Sequence, residues 1–237
     1  LATPNERLMA MKIVRQLARR MPASLKSKLS EKRQKQGVAL LDVPRVKDGP
    51  SGQIPPQLFQ TCPSRLIHPA HAEQIAKFRE QNAGISHFVF DDLETDGYMA
   101  ENWGDHPIKE IYDRALFGQM KADIFRYCIV WERGGYYLDI NKSIGKPLTA
   151  LHDLKDHAVI SFEKNSTVVF PETDVARKLL FPEKIVLQWA FGFSKRHQVL
   201  QAAINRIVDI APFYEGREFN RILATVVQFT GPGVLTW

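Results

Sequence analysis

Apolar positions along the chain change period several times. Between Glu6 and Met21, Leu8, Met11, Val14, Leu17 and Met21 recur at helical spacing, while Lys12, Arg15, Arg19 and Arg20 take much of the remaining surface. This predicts a basic amphipathic helix over residues 6–21. Such a helix can make peripheral contact with an anionic membrane, and a helix packed on its own domain gives the same pattern, so both readings stand. Lys26 to Lys35 is polar and charge-rich, and Pro44 to Pro56, with Gly49, Pro50 and Gly52, reads as a linker. The main domain is expected to begin near Ile54, leaving residues 1–53 as helix and linker and 54–237 as the domain.

From Ile54 onward strand-like and helix-like patterns alternate. A short strand is predicted at Gln57 to Gln60, a helix around Ala70 to Asn82, and a strand at His87 to Phe90 closing on Asp91-Asp92. A helix follows at Ile108 to Phe117, then another at Lys121 to Glu132. Gly134-Gly135 stops the latter by supplying the positive φ favoured at a helix C-terminus. Tyr136 to Ile140 reads as an apolar, aromatic strand. Further strands are predicted at Ala158 to Phe162 and Val186 to Phe193, and helices around Gln198 to Ile210 and Phe219 to Phe229. The alternation predicts an α/β domain built on a mixed central sheet flanked by helices.

Charge changes the picture through its distribution. The net charge is +6, but residues 1–50 carry 12 Lys/Arg against 4 Asp/Glu, or +8, which leaves 20 against 22, or −2, for residues 51–237. The basic character belongs to the leader, and the slightly acidic domain without a basic aromatic platform argues against nucleic acid. No run approaches the roughly 18 apolar residues of a spanning helix. The expected location is the cytoplasm, peripheral at a bacterial inner membrane, or the Golgi lumen for a eukaryotic source. Two cysteines, Cys62 and Cys128, are too few for a disulfide framework, and reduced thiols are expected.

Candidate chemistry concentrates between Lys121 and Asn141. Asp123 and Arg126 share one face of a largely apolar helix. Two readings are open: a structural ion pair, or a face bordering a polar ligand, with Asp123 accepting from hydroxyls and Arg126 offering its planar donor fork. The strand to Ile140 would deliver Asp139 and Asn141 at i and i+2, on one side of an extended segment. This is either a turn or capping device, or an oxygen-bearing pair suited to Mn²⁺ or Mg²⁺.

Taken as an ordered set, these residues resemble glycosyltransferase family 32, the DXD-type sugar transferases that include initiating α-1,6-mannosyltransferases and bacterial capsule or lipopolysaccharide enzymes. The resemblance rests on Ile54-Pro55 through Gln60-Thr61, Phe90-Asp91-Asp92, Ala122-Asp123 with Phe125-Arg126-Tyr127, and Gly134-Gly135-Tyr136-Tyr137-Leu138-Asp139. Gln188-Trp189 with Ser194 and His197, and Thr230-Gly231-Pro232-Gly233, complete it. The resemblance implies a GT-A fold, a nucleotide-diphospho-sugar donor, a divalent metal (Mn²⁺ or Mg²⁺), a glycan or lipid-linked acceptor, and transfer of a hexose with retention. It implies Gln60 and Thr61 near the nucleotide, Asp123 and Arg126 on the donor sugar, and Asp139 at the ribose or metal. Tyr137, Gln188 and Trp189 join the donor-binding set, and Asp139 with Asn141 form the metal pair. In a front-face route the leaving phosphate helps deprotonate the acceptor, so no protein nucleophile is required.

Two departures bear on this. Asn141 stands where the family's Asp-X-Asp has its second acid, which removes a negative charge. The chain ends at Trp237, soon after the Thr-Gly-Pro landmark, and is expected to be truncated there. A rival reading is a catalytically inactive nucleotide-sugar binder with a decayed metal site. A two-carboxylate glycoside hydrolase leaves Asp123, Arg126 and the Gly-Gly-Tyr-Tyr-Leu-Asp segment unexplained.

Overall fold

The structure is a computed structural model that describes residues 37–45, 52–163, 184–219 and 222–236. The amphipathic segment 6–21 and residues 46–51 of the linker lie outside them. In chain order the elements are β1 (Val38–Ala39), β2 (Gln57–Thr61), β3 (Leu66–Ile67), α1 (Pro69–Gln81), β4 (Ser86–Phe90), α2 (Asp92–Trp103), α3 (Pro107–Arg114), α4 (Gly118–Arg133) and β5 (Gly135–Leu138). A 3₁₀ turn at Leu148–Ala150 precedes β6 (Ala158–Val159), β7 (Ala190–Phe193), α5 (Gln198–Tyr214), α6 (Ile222–Phe229) and α7 (Pro232–Thr236).

Five strands form one mixed sheet in the order β4-β2-β5-β7-β6. β2 runs parallel to β4 and β5, whereas β7 is antiparallel to both β5 and β6. Strand alternation divides the core. Phe59 and Tyr137 join a large cluster with the apolar face of α4 and with α5, while Leu58, Tyr136 and Leu138 pack on the opposite face with Ile54, Phe78 and Ile85. Both faces of β5 are covered, so all four of its residues are buried. α4 contributes an unbroken buried run from Asp123 to Val130.

Local chemistry explains the boundaries. His68, His106 and His197 each accept a backbone N–H at the start of α1, α3 and α5, with Pro69 and Pro107 at the first helical position. His197 is thus a helix cap. α2, which the apolar pattern does not announce, begins at a reciprocal capping box: Glu94 N donates to Asp91 Oδ1 at 3.0 Å, and Asp91 N to Glu94 Oε2 at 2.8 Å. α4 ends at Gly134 (φ 69°) and Gly135 (φ 103°). A Cβ on Gly135 would lie 2.5 Å from the Gln57 carbonyl oxygen, so the helix-to-strand turn requires glycine there by both dihedral and space.

Several expected boundaries of helices and strands are corrected. The predicted strand Tyr136 to Ile140 stops at Leu138, because residues 139–142 form a turn. Of Val186 to Phe193 only the last four residues are strand, with Val186 in an isolated bridge to Phe162. The helix predicted to Phe117 ends at Arg114, and of the helix predicted over Phe219 to Phe229 the described part is Ile222–Phe229. Residues 37–45, upstream of Ile54, also pack on the domain: Leu40 is buried with Cys62, Ile75 and Val89, and Asp42 accepts from the Val89 N–H. Both cysteines are buried free thiols. Among the described residues no helix is long and apolar enough to cross a membrane.

Candidate functional site

β5 is the seam at which the sheet changes from parallel to antiparallel, and ligands of open α/β sheets collect at the carboxyl ends of strands beside such switch points. Asp139 lies there, one residue beyond β5, and alternation places it on the Tyr137 side, facing α4. Arg126 of α4 joins the acids. Its Nη2 forms ion pairs with Asp123 Oδ1 at 3.1 Å and with Asp139 Oδ1 at 3.4 Å. Its Nε donates to the Ala122 carbonyl at 3.2 Å and Nη1 to the Gln188 carbonyl at 3.3 Å. The guanidinium lies 4.4 Å from the centre of the Tyr137 ring.

Exposure rises along this chain of charges. The side chains of Asp123 and Arg126 are 1% and 6% exposed, that of Asp139 31%. Asp139 is therefore the group that meets solvent, and the buried pair behind it fixes its partner. Burial pushes the Asp123 carboxyl up to about 6, against the pull of Arg126 and Thr230. Burial disfavours the Arg126 charge as well, but Tyr137, Asp123 and Asp139 outweigh it and hold the guanidinium above its ordinary pKa.

A second layer comes from the distant end of the chain. Thr230 Oγ1 donates to Asp123 Oδ2 at 3.1 Å. Gln188 Nε2 donates to Tyr127 Oη at 2.5 Å and to the Thr230 carbonyl at 3.1 Å, and Tyr127 Oη donates to the Gly231 carbonyl at 3.0 Å. Gln188 is consequently buried and supports Asp123 and Arg126 from behind. In the sequence Thr230 and Tyr127 belong to the ordered set without a role of their own. Their contacts span 107 and 104 residues, a separation that leaves no local spacing signal.

The remaining candidates divide by accessibility. Tyr137 is buried, and its hydroxyl shares a 2.9 Å hydrogen bond with Thr61 Oγ1, so it carries Arg126 on its face. Gln60 Nε2 donates to the Leu138 carbonyl at 3.3 Å, which fixes its amide orientation. Its buried Oε1 has no partner among the described residues, an uncommon state that leaves an acceptor beside the end of β5. Trp189 is half-buried, and its carbonyl accepts the Asp139 N–H at 2.8 Å.

Asn141 is the clearest correction. Lys142 N donates to the Asp139 carbonyl at 2.9 Å, so residues 139–142 form a tight turn, and Asn141 is exposed on it rather than aligned with Asp139 on an extended segment. The donor chemistry still suits a hard cation: a carboxylate and an amide oxygen two residues apart, to be completed by phosphate oxygens and water. Among the described residues no group of three His, Cys, Asp or Glu is placed to hold a metal ion. A cavity of about 1000 Å³ lies elsewhere, between α3, α5 and α6, with Ile111, Met120, Val208 and Phe229 in its apolar wall, and includes neither Asp123 nor Asp139.

Comparison with known proteins bears on what this arrangement does. Residues 68–165 match the family described as glycosyltransferase sugar-binding region containing DXD motif. The chain is 23% identical over 206 residues to an initiation-specific alpha-1,6-mannosyltransferase of Candida albicans, covering 78% of this chain and 52% of that protein. It is 24% identical over 168 residues to the protein of the same name from Schizosaccharomyces pombe, covering 67% and 41%. The chain therefore spans about half the length, or less, of these relatives. Among solved structures, PaToxG Glycosyltransferase superposes with a TM-score of 0.56 at 13% identity, covering 77% of this chain and 68% of that one, a likeness of fold.

Proposed function

We propose that this chain, a family 32-like glycosyltransferase by its sequence relatives and a GT-A domain by its fold, transfers a hexose with retention from a nucleotide-diphospho-sugar to a glycan or lipid-linked acceptor. The observation that carries the reading is the Asp123–Arg126–Asp139 chain, buried at one end and partly exposed at the other, at the carboxyl end of the sheet's seam strand.

Each residue then has a physical task. Asp139, the member that reaches solvent, contacts the ribose or the diphosphate-bound metal. Arg126, shared between two carboxylates and resting on Tyr137, holds Asp139 in one orientation; Asp123, tied to Thr230, holds Arg126. Pre-set dipoles and charges of this kind aid the chemical step because little reorganisation is needed when charge develops. Gln60 and Thr61 border the nucleotide side, and Trp189 the sugar side. A Mn²⁺ or Mg²⁺ ion, when bound, would be held by Asp139 and the Asn141 amide oxygen, and would supply neutralisation of charge on the leaving diphosphate.

Calorimetric titration with UDP- and GDP-linked hexoses, with and without Mn²⁺, followed by assay of nucleoside diphosphate release, tests the reading. The expected result is binding of one donor with slow release. Absence of binding to every donor would overturn it, and binding without release in the presence of acceptors would favour an inactive sugar-nucleotide binder.

A further inference from the structure

Asp123, Arg126, Asp139 and Asn141 together leave the charge of a departing diphosphate incompletely met. A departing nucleoside diphosphate accumulates negative charge beside Asp139, itself an anion, and Asn141 offers a metal only a neutral oxygen. Arg126 is largely neutralised by its two carboxylates and is 6% exposed. A cation that is accessible and not committed to an ion pair is needed at the same mouth.

Lys142 meets that description. Its N–H closes the turn onto the Asp139 carbonyl at 2.9 Å, and its Nζ lies 5.3 Å from the centre of the Trp189 ring. The Trp189 carbonyl accepts the Asp139 N–H at 2.8 Å, so backbone and ring together hold Lys142 against the segment that presents Asp139. Lys142 is exposed and forms no salt bridge among the described residues. A cation–π contact orients an ammonium while leaving its N–H donors available to an anion.

We propose that Lys142 is a further catalytic residue, a diphosphate ligand that supplies part of the positive charge a second acidic metal ligand would otherwise recruit. The proposal rests on the transferase reading. As the bond from sugar C1 to the diphosphate oxygen breaks, its electron pair stays with the diphosphate; C1 bonds to the acceptor oxygen, and the acceptor proton passes to a diphosphate oxygen. Lys142 keeps its proton throughout and donates hydrogen bonds to the oxygens whose charge grows.

The test is calorimetric titration of the wild-type chain, Lys142→Ala and Lys142→Arg with UDP, GDP, UMP and GMP in EDTA. The wild type should bind its diphosphate about tenfold or more tightly than the matching monophosphate, the scale of one hydrogen bond to a charged group. Lys142→Ala should lose most of that increment while keeping monophosphate affinity, and Lys142→Arg should retain it. An equal increment in wild type and Lys142→Ala would overturn the role of Lys142 and leave the transferase reading standing, since nucleotide would still bind. Binding of the wild type only when Mn²⁺ replaces EDTA would overturn Lys142 as the cation that meets the diphosphate and leave the transferase reading standing, and failure to bind any of the four in either condition would overturn both.

Discussion

Asp123→Asn separates the charge of the buried pair from its hydrogen bonds. In the wild type Asp123 Oδ1 pairs with the Arg126 guanidinium at 3.1 Å and Oδ2 accepts from Thr230. Asparagine can keep its carbonyl toward Arg126 and turn its NH₂ to Thr230 Oγ1, whose own hydroxyl then donates to the Val226 carbonyl 3.5 Å away. The connections survive, so the variant should fold, whereas Asp123→Ala leaves Arg126 short of a partner and should cost about 3–5 kcal/mol. The pH dependence carries the magnitude. The folded-state pKa of Asp123 is raised from 3.8 to about 6, so between these values the native state binds more protons than the unfolded one, and stability falls as pH rises. At about 1.4 kcal/mol per unit, the ionised group lowers stability by about 3 kcal/mol above pH 6 relative to pH below 4. The asparagine variant has no such slope. Denaturant midpoints of both proteins from pH 4 to 7.5 should show wild type losing about 3 kcal/mol relative to Asp123→Asn across that window. A pH-independent difference would show that Asp123 is not the desolvated carboxyl described here. Activity should respond in the opposite sense, since the asparagine no longer balances Arg126: kcat should fall at neutral pH while the fold is kept.

Other perturbations address the site and its frame separately. Asp139→Ala removes a side chain that is 31% exposed, so stability should change by no more than about 1 kcal/mol while turnover is lost; undiminished diphosphate release would remove Asp139 from the site. Asn141→Asp should tighten Mn²⁺ binding, measured by titration of nucleotide-bound protein, and an unchanged affinity would refute a ligand role. Burial lowers the His87 pKa from 6.5 to about 4, so the unfolded state binds more protons between these values and the fold loses up to about 3 kcal/mol as pH falls through them. His87→Phe should flatten that acid limb, because the Asn82 carbonyl that His87 contacts also accepts the Ile85 N–H; an unaltered limb would exclude His87 as its cause.

What was legible in the chain follows sequence distance. Asp123, Arg126, Gly134, Gly135 and Asp139 lie within one helix–turn–strand unit, where helical and strand periods alone determine which side chains share a face, and the structure joins the two acids through Arg126. The mixed sheet was legible for the same reason: alternating short elements with glycine stops leave few arrangements. α2 was not, since Asp91 and Glu94 form its capping box but its apolar stripe, Thr95, Tyr98, Met99 and Trp103, is thin and interrupted by Gly97. The strand-end geometry failed at one point. An apolar run through Ile140 continues the period of a strand, but the Asp139 N–H pairs with Trp189 and its carbonyl with Lys142, so backbone pairing ends the strand and turns the chain at the functional residue itself.

That turn also accounts for why Asp139 is partly exposed while the acid it shares Arg126 with is buried. Were the strand to continue, Asp139 would be flanked by paired residues on both sides and covered as Tyr137 is. Ending β5 at Leu138 brings the carboxylate to the rim of the sheet, and the turn's next residues, Asn141 and Lys142, come with it. The same backbone bond therefore ends the strand, opens the carboxylate and places Lys142 beside it. A substitution that straightens the turn should damage all three together, which distinguishes it from Asp139→Ala or Lys142→Ala. Replacing Asn141 by proline removes no hydrogen bond made by its own N–H among the described residues, whereas Lys142→Pro deletes the closing donor; the latter should abolish diphosphate binding even where Lys142→Ala only weakens it. Equal nucleotide affinities for Lys142→Pro and Lys142→Ala would show that the side chain matters and the turn does not.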